Sequence, residues 1–319
     1  MPKRGCLGCS VPVIVGVLLV FVALFAFGFV CGPLGKSIFG DLGLPSWLTV
    51  PQPDPKLPAE VVFHLFGFPI TNSIIAAWLT IVFLVGFSYA VTRRIKLIPG
   101  RLQSAFESFL GWLYNFCQSV AGEENGRRFF PVVATIFLFV ALNAWLSLLP
   151  GFGSITVGTA EGEVPLLRSA NTDINMPLAL ALMSFVFVEF FGIRSGGGIR
   201  YLGKFVNVGQ FFRSIGQLFR GEFRAGLSGL ITGVTNIFVG FLEALSELVR
   251  IVSFTFRLFG NMTAGEILLL IAAFLVPWIF ALPFYGLELL VGFVQALIFA
   301  GLTLVFLTVA TAAHGEEAA

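Results

Sequence analysis

Long apolar stretches constrain the fold of this chain more than any other feature of its sequence. Each is close to the ~20 apolar residues that an α-helix needs to cross a bilayer. Only 11% of the 319 residues are charged, against about 25% in an average soluble protein. The stretches therefore predict an all-α, polytopic membrane protein. The shorter ones are Val11–Val30, Asn72–Val91, Pro131–Leu149, Met176–Ile193 and Leu287–Ala310.

The longest apolar segment is Gly229–Phe280. At roughly 50 residues it is too long for one upright span, so we expect a strongly tilted or broken helix. Pro277 and Pro283 bracket a turn, after which Leu287–Ala310 returns across the membrane. About six hydrophobic spans are therefore expected, and the last two form a long, tilted C-terminal helical hairpin.

The order of these segments divides the chain into four parts. Residues 1–31 form an N-terminal hydrophobic anchor or a cleaved signal segment, and we favour the anchor because the apolar run is long for a signal core. Residues 32–69 are rich in proline and turn residues and are expected to form an external loop. Residues 70–228 hold transmembrane helices with two basic cytoplasmic connections, and residues 229–313 form the hairpin.

Basic residues indicate the orientation of the chain, because short loops rich in Lys and Arg stay on the cytoplasmic side. They concentrate before the first span and in Arg93–Arg128 and Arg194–Arg224. Both termini are then cytoplasmic if the first span is not cleaved. Within the second connection, Gln210–Leu227 has the spacing of an amphipathic interfacial helix, with a plain basic loop as the alternative. The segment Leu102–Val120 has a similar pattern.

Arg257 lies within the first apolar segment of the hairpin, where a charge is costly. An arginine at the centre of a bilayer costs at least ~2.5–3.5 kcal/mol, so it persists where it faces a partner, a water-filled cavity or a transport path. Residues spaced by multiples of three and four stay on one face of a helix. Around Arg257, that face carries a polar row formed by Glu243, Ser246, Arg250, Ser253 and Asn261.

Further polar residues lie away from this row. Glu266 follows Arg257 by nine positions, which places it on the opposite face of the same helix. Glu288 and Gln295 share a face of the returning helix, and Glu288 is expected near the external turn, close to Glu266. Acids on two sides of a permanently charged arginine are typical of two ion half-paths that do not connect directly.

Simpler roles for these residues remain open. Arg257 can pair with Glu288 or Glu243 and lock the hairpin. Asp173 and Asn175 precede the fourth span and are compatible with helix capping. Glu243, Glu247 and Arg250 are also compatible with positions near the cytoplasmic headgroups, and for Glu189, at the inner end of its span, we favour such a position.

The sequence contains no strong signature of a nucleotide, metal or nucleic-acid site. No GxxxxGK[ST] loop occurs, so nucleotide chemistry would belong to a partner. Two histidines and one CxxC, formed by Cys6 and Cys9, give weak support for a metal. The net charge of +2 gives no basis for a nucleic-acid partner. We expect no cofactor, no metal and no nucleic acid.

Four motifs, taken in order, resemble those of subunit a of F-type ATP synthases, the stator subunit that faces the rotating c ring. Together they cover roughly Val61–Ala313, and the motif that begins at Arg257 is the most specific. They are NAWLSLLPG (Asn143–Gly151), SANTDIN (Ser169–Asn175), RLFGNMTAGE (Arg257–Glu266) and VQALIFAGLTLVFL (Val294–Leu307). The residues before Val61 match no firm part of the family pattern, so the role of their hydrophobic span is open. The role of the long connection at 196–227 is open as well.

The resemblance implies roles for individual residues. Arg257 faces the carboxylate of the c ring, with Gln295 beside it, and Asn261 matches the asparagine of the same motif. Glu243 and Ser246 correspond to positions of the cytoplasmic half-channel. The positions of the external half-channel and its entrance correspond to Asp173, Asn175, Glu266 and Glu288. How Glu266 and Glu288 divide their work is left open by the pattern.

The resemblance also implies a function and a setting. An ion, with H⁺ favoured over Na⁺, crosses through two offset half-channels at the interface with the ring, and this flow is coupled to ATP synthesis. The subunit is not catalytic. Its partners are the c ring, the peripheral-stalk b subunits, the rest of the ATP synthase and the lipid of a bacterial plasma membrane. A stand-alone secondary transporter or channel is the alternative, although the internal repeats typical of such proteins are not apparent.

Overall fold

The computed structural model describes most of the chain, and helices dominate it. The residues described are 11–40, 45, 52–53, 58–93, 95–96, 100–149, 151–159, 162–196, 213–215, 223–277 and 280–312. The helices are α1 (Val11–Cys31), α2 (Pro33–Phe39), α3 (Asn72–Thr92), α4 (Arg101–Ala121), α5 (Glu123–Ser147), α6 (Asn175–Gly196), α7 (Phe223–Leu275) and α8 (Ala281–Ala312). Two short antiparallel hairpins accompany them, β1 (Val61–Leu65) with β2 (Phe68–Thr71) and β3 (Thr156–Thr159) with β4 (Gly162–Pro165).

Within the described residues, six helices are long and apolar enough to cross a membrane, namely α1, α3, α5, α6, α7 and α8. The prediction of a helical membrane protein with about six spans is therefore confirmed. The largest difference at a helix start concerns α5, which was expected to begin at Pro131 and begins at Glu123. Two acidic residues in its first turn, Glu123 and Glu124, are favourable at the positive end of the helix dipole.

The helix α7 is unbroken over 53 residues. At 1.5 Å per residue it is about 80 Å long, against a hydrocarbon core of ~30 Å. It contains no proline, which is the commonest cause of a sharp kink. It ends at Leu275, shortly before Pro277, and Pro283 lies in the first turn of α8, where a missing N–H costs no hydrogen bond.

The segment expected to be an external loop, residues 32–69, contains regular structure where it is described. The short helix α2 follows α1 almost directly, and β1 pairs with β2 with a bulge between Val61 and Phe63. The turn between these strands places Gly67 at φ +82°, a left-handed conformation that glycine adopts without steric cost. Phe66, at the tip of this hairpin, is fully exposed.

Contacts within the chain define two units, each described by itself. The first unit comprises Met1–Ala77, Asn143–Asp173 and Gly260–Val294. In it, Gly32 after α1 lies against the backbone carbonyl of Leu275, so closely that a Cβ atom at Gly32 would collide with it. The Phe25 ring of α1 also contacts the Phe280 ring, at 6.1 Å between centroids. The end of α1 therefore packs on the turn of the hairpin.

The second unit comprises Trp78–Leu142, Ile174–Phe259 and Gln295–Ala319. Its interior is rich in aromatic pairs that join different helices, with centroid distances of 5.7 Å for Phe109–Phe137, 5.1 Å for Phe129–Phe191 and 4.9 Å for Phe254–Phe299. A buried hydrogen bond of 2.8 Å joins the hydroxyls of Ser184 and Thr303. Ring packing therefore joins α4 to α5, α5 to α6 and α7 to α8 in this unit.

The amphipathic segment Leu102–Val120 forms α4. Leu113 and Cys117 are buried on its inner face, whereas Leu102 is exposed. Burial raises the pKa of the Cys117 thiol to about 11, because a thiolate would be poorly solvated there. The other amphipathic prediction, Gln210–Leu227, falls mostly outside the described residues, as do the CxxC cysteines and both ends of the chain.

Candidate functional site

A cavity of about 540 Å³ in the first unit is lined by several of its ionisable residues. Its walls come from Glu60, the end of α5 and the loop after it, β4 and the connection from β4 to α6, the C-terminal part of α7 and the start of α8. Four carboxylates and one guanidinium line it, from Glu60, Glu163, Glu266, Glu288 and Arg168. Hydroxyl groups from Ser147, Ser154, Ser169, Thr172, Thr263 and Tyr285 complete the polar lining. The cavity is large enough and polar enough to hold several water molecules.

Glu266 of α7 is held by an arginine that the sequence patterns did not single out. The Nη2 atom of Arg168 lies 3.2 Å from Oε2 of Glu266, and its side chain is 11% exposed, against 33% for Glu266. The Nη1 atom of Arg168 donates a hydrogen bond of 3.1 Å to the carbonyl oxygen of Pro58. The guanidinium is thus fixed between a backbone carbonyl and a carboxylate.

Glu288 of α8 is 7% exposed and has different surroundings. Its carboxylate packs directly against Gly265 of α7, at a place where any Cβ atom would overlap it. A side chain at position 265 would therefore displace the Glu288 carboxylate from this place. Within the described part of the chain, Glu288 forms no ion pair with a basic residue.

Asp173 belongs to a buried polar cluster of the same unit. Ser73, at the start of α3, donates a hydrogen bond of 2.6 Å to its Oδ2 atom. The neighbouring Asn72 donates to the carbonyl of Pro165 at 3.3 Å, while its own Oδ1 atom is buried and has no hydrogen-bond partner in the described structure. A buried acceptor of this kind is normally satisfied by water. The cluster links the ends of α3 and β4 around Asp173.

Arg257 lies in the second unit and is exposed. No hydrogen bond or ion pair joins it to another described residue, and its closest aromatic neighbour is the Phe254 ring, 6.0 Å from the guanidinium carbon. The ion pair with Glu243 that would lock the hairpin is therefore not formed. Large apolar side chains of α7 near Arg257 are exposed as well, among them Val249, Val252 and Phe256.

The polar row that precedes Arg257 is divided between open and buried positions. Ser246 is exposed and donates to the carbonyl of Leu242 at 2.8 Å, and Glu243 is half-buried. Glu247 is 5% exposed, with its Oε2 atom 2.6 Å from Nη1 of Arg250, a close charge contact rather than an aligned hydrogen bond.

The guanidinium of Arg250 also stacks on a ring. Its central carbon lies 3.8 Å from the centroid of Phe306 on α8. Glu247, which is buried, and Arg250, which is half-buried, therefore form an ion pair within α7. A buried pair of this kind fixes one side-chain arrangement between two helices.

Three further predicted residues lie at separate places. Asn261 is exposed on the part of α7 that belongs to the first unit. Gln295 is 9% exposed in the second unit and forms no hydrogen bond with Arg257. Asn175 is the first residue of α6 and is exposed. The structure thus brings Glu266 and Glu288 to one cavity and leaves these three outside its lining.

Sequence reasoning missed Arg168, Glu60 and Glu163 as cavity residues. A signal for Arg168 was present, since it is the single basic residue of the connection between the third and fourth spans. A basic residue isolated in an acidic external connection is unusual under the positive-inside rule. Glu60 and Glu163 carried no comparable signal, because acids are common in external loops.

Comparison with known proteins places the chain among relatives. The model of the family described as ATP synthase A chain matches residues 74–308. ATP synthase subunit a of Moorella thermoacetica is 28% identical over 261 residues, which cover 81% of this chain and 98% of that protein. The protein of the same name from Nitratiruptor sp. is 30% identical over 254 residues, which cover 80% and 93%.

A third relative has a higher identity over a shorter alignment. ATP synthase subunit a 3 of Pelobacter propionicus is 33% identical over 230 residues, which cover 72% of this chain and 83% of that protein. The family match includes α4 to α6 and α8 almost to its end, and all of α7. It leaves out α1 and α2. On this extent of similarity, the chain belongs to the ATP synthase A chain family.

Proposed function

We propose that this chain translocates protons through the membrane sector of a rotary F-type ATP synthase. Protons enter through one half-channel and leave through another that is offset from it. Between entry and exit, each proton is bound to a carboxylate of a rotating c ring that faces α7. This flow is coupled to ATP synthesis, whose chemistry belongs to other subunits. The chain itself acts as a non-catalytic part of the stator.

The observation that carries this proposal is Arg257, which lies on an exposed face of α7 and has no ion pair with another described residue. An unpaired guanidinium in a bilayer costs at least ~2.5–3.5 kcal/mol, so the face calls for an acidic partner from another chain. A ring of carboxylate-bearing helices supplies that partner together with an apolar surface. Arginine suits the role because it keeps its charge at every relevant pH.

The two polar regions of the chain support separate half-channels. The cavity with Glu266 and Glu288 suits the external path, and Asp173 with Ser73 suits its approach. Glu243 and Ser246, in the N-terminal half of α7, suit the cytoplasmic path. Arg257 between them in sequence repels a proton that would otherwise pass directly from one path to the other.

Partners and location follow from the same proposal. The complex includes the c ring, the peripheral-stalk b subunits and the remaining subunits of the synthase. The complex is located in the plasma membrane of a bacterium. Both termini of the chain lie in the cytoplasm if α1 is not cleaved as a signal segment. The six membrane-spanning helices and the family membership support this setting.

The decisive test is Arg257→Ala in the complete ATP synthase, reconstituted in vesicles. We expect ATP-driven proton uptake and proton-driven ATP synthesis to fall to background while the complex still assembles. Arg128→Ala is the matched control, because Arg128 forms only an exposed ion pair with Glu124 and such pairs contribute little. Normal proton pumping by the Arg257 variant would contradict the proposal.

The half-channels are tested by accessibility. In a background with the four native cysteines replaced by alanine, Ser246→Cys should react with a membrane-impermeant thiol reagent from the cytoplasmic side. Glu266→Cys and Glu288→Cys should react from the external side. Labelling of all three from one side would contradict the assignment of two separate paths.

A further inference from the structure

We propose that Arg168 is a positioning residue that divides the work of the two cavity acids. It holds Glu266 as a fixed carboxylate, and it leaves Glu288 as the acid that binds and releases the travelling proton. This inference rests on the proposed function and assigns separate roles to Glu266 and Glu288 in the external half-channel. Neither the family motifs nor the comparisons assign a role to Arg168.

The first argument is the charge around the cavity. The ionisable groups that line it are Glu60, Glu163, Arg168, Glu266, Tyr285 and Glu288. Among these described lining residues, Arg168 is the single cation. It can neutralise one carboxylate, and its 3.2 Å contact selects Glu266. Among the two acids that α7 and α8 contribute, Glu266 therefore has a fixed counter-ion, and Glu288 has no ion pair with a described residue.

The second argument is the rigidity of Arg168. Its Nη1 atom is tied to the Pro58 carbonyl and its Nη2 atom to Glu266, and the Nε atom is buried without a hydrogen-bond partner in the described structure. The chain that leads to it is fixed as well, because the N–H of Leu166 donates to the carbonyl of Ile155 at 2.7 Å. A guanidinium held from both sides maintains one orientation toward its acid.

The third argument concerns what protonation would cost each acid. A proton on Oε2 of Glu266 would replace its charge-assisted contact with Arg168, which does not lose its own proton. Glu288 has no such contact to lose, and its carboxylate sits between the backbone of Gly265 and the cavity. Glu288 is thus the acid that can exchange H⁺ at the lower cost in broken contacts.

The proposed step is a simple proton transfer. A hydronium ion in the cavity gives H⁺ to the Glu288 carboxylate and leaves water behind. The carboxylic acid then gives the same H⁺ to an ionised carboxylate on the partner ring, which returns Glu288 to its charged form. Glu266 and Arg168 keep their charges throughout, so the net charge that they contribute to the cavity does not change.

A double-mutant experiment tests this division in the complete, reconstituted synthase. Glu288→Gln should lower ATP-driven proton pumping about 100-fold, in the range lost when a proton-transferring side chain is removed. Glu266→Gln should lower it less than about threefold, because the amide still fills the site next to Arg168.

Arg168→Gln is the informative single variant. It frees Glu266 to compete with Glu288 for the proton, and we expect pumping to fall about tenfold. The double variant, Arg168→Gln with Glu266→Gln, removes the competing acid and should pump faster than Arg168→Gln alone. Arg168→Lys keeps the positive charge and should retain most of the activity, even if Arg168→Gln assembles poorly.

The dependence of pumping rate on external pH gives a readout that a purely structural role would not move. The profile should be the same for the parent and Glu266→Gln, gain a second titrating step in Arg168→Gln, and return to the parent shape in the double variant. Glu288→Gln should lose the dependence on external pH that comes from this cavity.

Two results would overturn the inference. One is a double variant no faster than Arg168→Gln, and the other is a Glu266→Gln variant as impaired as Glu288→Gln. Arg257→Ala measured in the same vesicles separates this failure from failure of the proposed function. If Arg257→Ala pumps normally, the proposed function is wrong. If Arg257→Ala is inactive and the double variant pumps no faster than Arg168→Gln, only the separate roles assigned to Glu266 and Glu288 are wrong.

Discussion

Arg168 and Arg257 carry the same side chain in opposite surroundings. Arg168 is 11% exposed, and two of its nitrogen atoms are engaged by a carboxylate and a backbone carbonyl. Arg257 is exposed on α7, a long and mostly apolar helix, and has no ion pair with a described residue. The comparison indicates that a guanidinium with partners in its own chain fixes the local structure. A guanidinium without an ion pair to a described residue is available to bind an acidic group of another chain. Arg250, stacked on Phe306 and paired with Glu247, belongs to the first kind.

The largest contrast is expected when each arginine is replaced by lysine. Arg257→Lys should abolish most coupled proton transport, because an ammonium lacks the planar fork and can lose its proton in apolar surroundings. Arg168→Lys should keep more than half of the transport, since one charge contact with Glu266 is enough. Proton pumping in vesicles measures both. Equal losses would remove the distinction between the two arginines.

A second contrast separates buried from exposed ion pairs. Glu247→Ala leaves the Arg250 charge without its partner, and this should lower the free energy of unfolding by about 3 kcal/mol. Glu124→Ala removes the exposed pair with Arg128 and should cost less than about 1 kcal/mol. Thermal unfolding of the detergent-purified complex compares them. Similar shifts in Tm would show that the Glu247 site is hydrated.

A third contrast concerns two glycines on neighbouring stretches of the hairpin. Gly265→Ala would push the Glu288 carboxylate out of its place and should lower the pumping rate about tenfold, since overpacking typically costs 1–3 kcal/mol. Gly286→Ala is the control, because nothing lies within 4 Å of a Cβ atom there. A loss that is equal in both variants would indicate a general effect of alanine on the hairpin.

The smallest effect is expected at Cys117. Since burial raises the pKa of its thiol to about 11, the reactive thiolate is scarce at pH 7 to 9. Cys117 should remain unlabelled by maleimide in the folded complex, whereas Ser246→Cys in the same unit should react. Mass spectrometry of the labelled subunit measures both. Rapid reaction of Cys117 at neutral pH would show that α4 opens readily.

The helices could be predicted from the sequence because their signals are local. Apolar length located the six spans, and Pro277 located the end of α7. The start of α5 was misjudged because the apolar run begins at Pro131, whereas the helix itself begins in the polar sequence before it, at Glu123. The β1–β2 hairpin was missed, since the Gly67 turn lies in a segment rich in other turn residues.

The cavity could be predicted only in part. Glu266 and Glu288 were expected to lie close together because both flank the same turn. The contact between Arg168 and Glu266 joins residues 98 positions apart, and it depends on how the β3–β4 hairpin folds back. No periodicity within one helix reports such a contact. Arg168 was visible as a lone basic residue, but its partner was not.

The unbroken course of α7 has a mechanical consequence. A rotating ring that pulls on Arg257 would load the helix sideways, and a helix without a proline hinge bends elastically along its length. The buried side of the same turn is braced by Phe254 against the Phe299 ring, at 4.9 Å between centroids. If the proposed function holds, a force applied at the Arg257 guanidinium would thus be distributed over many turns of α7 and into the aromatic interior. The chain would bend slightly under this force and recover its shape between successive steps of the ring.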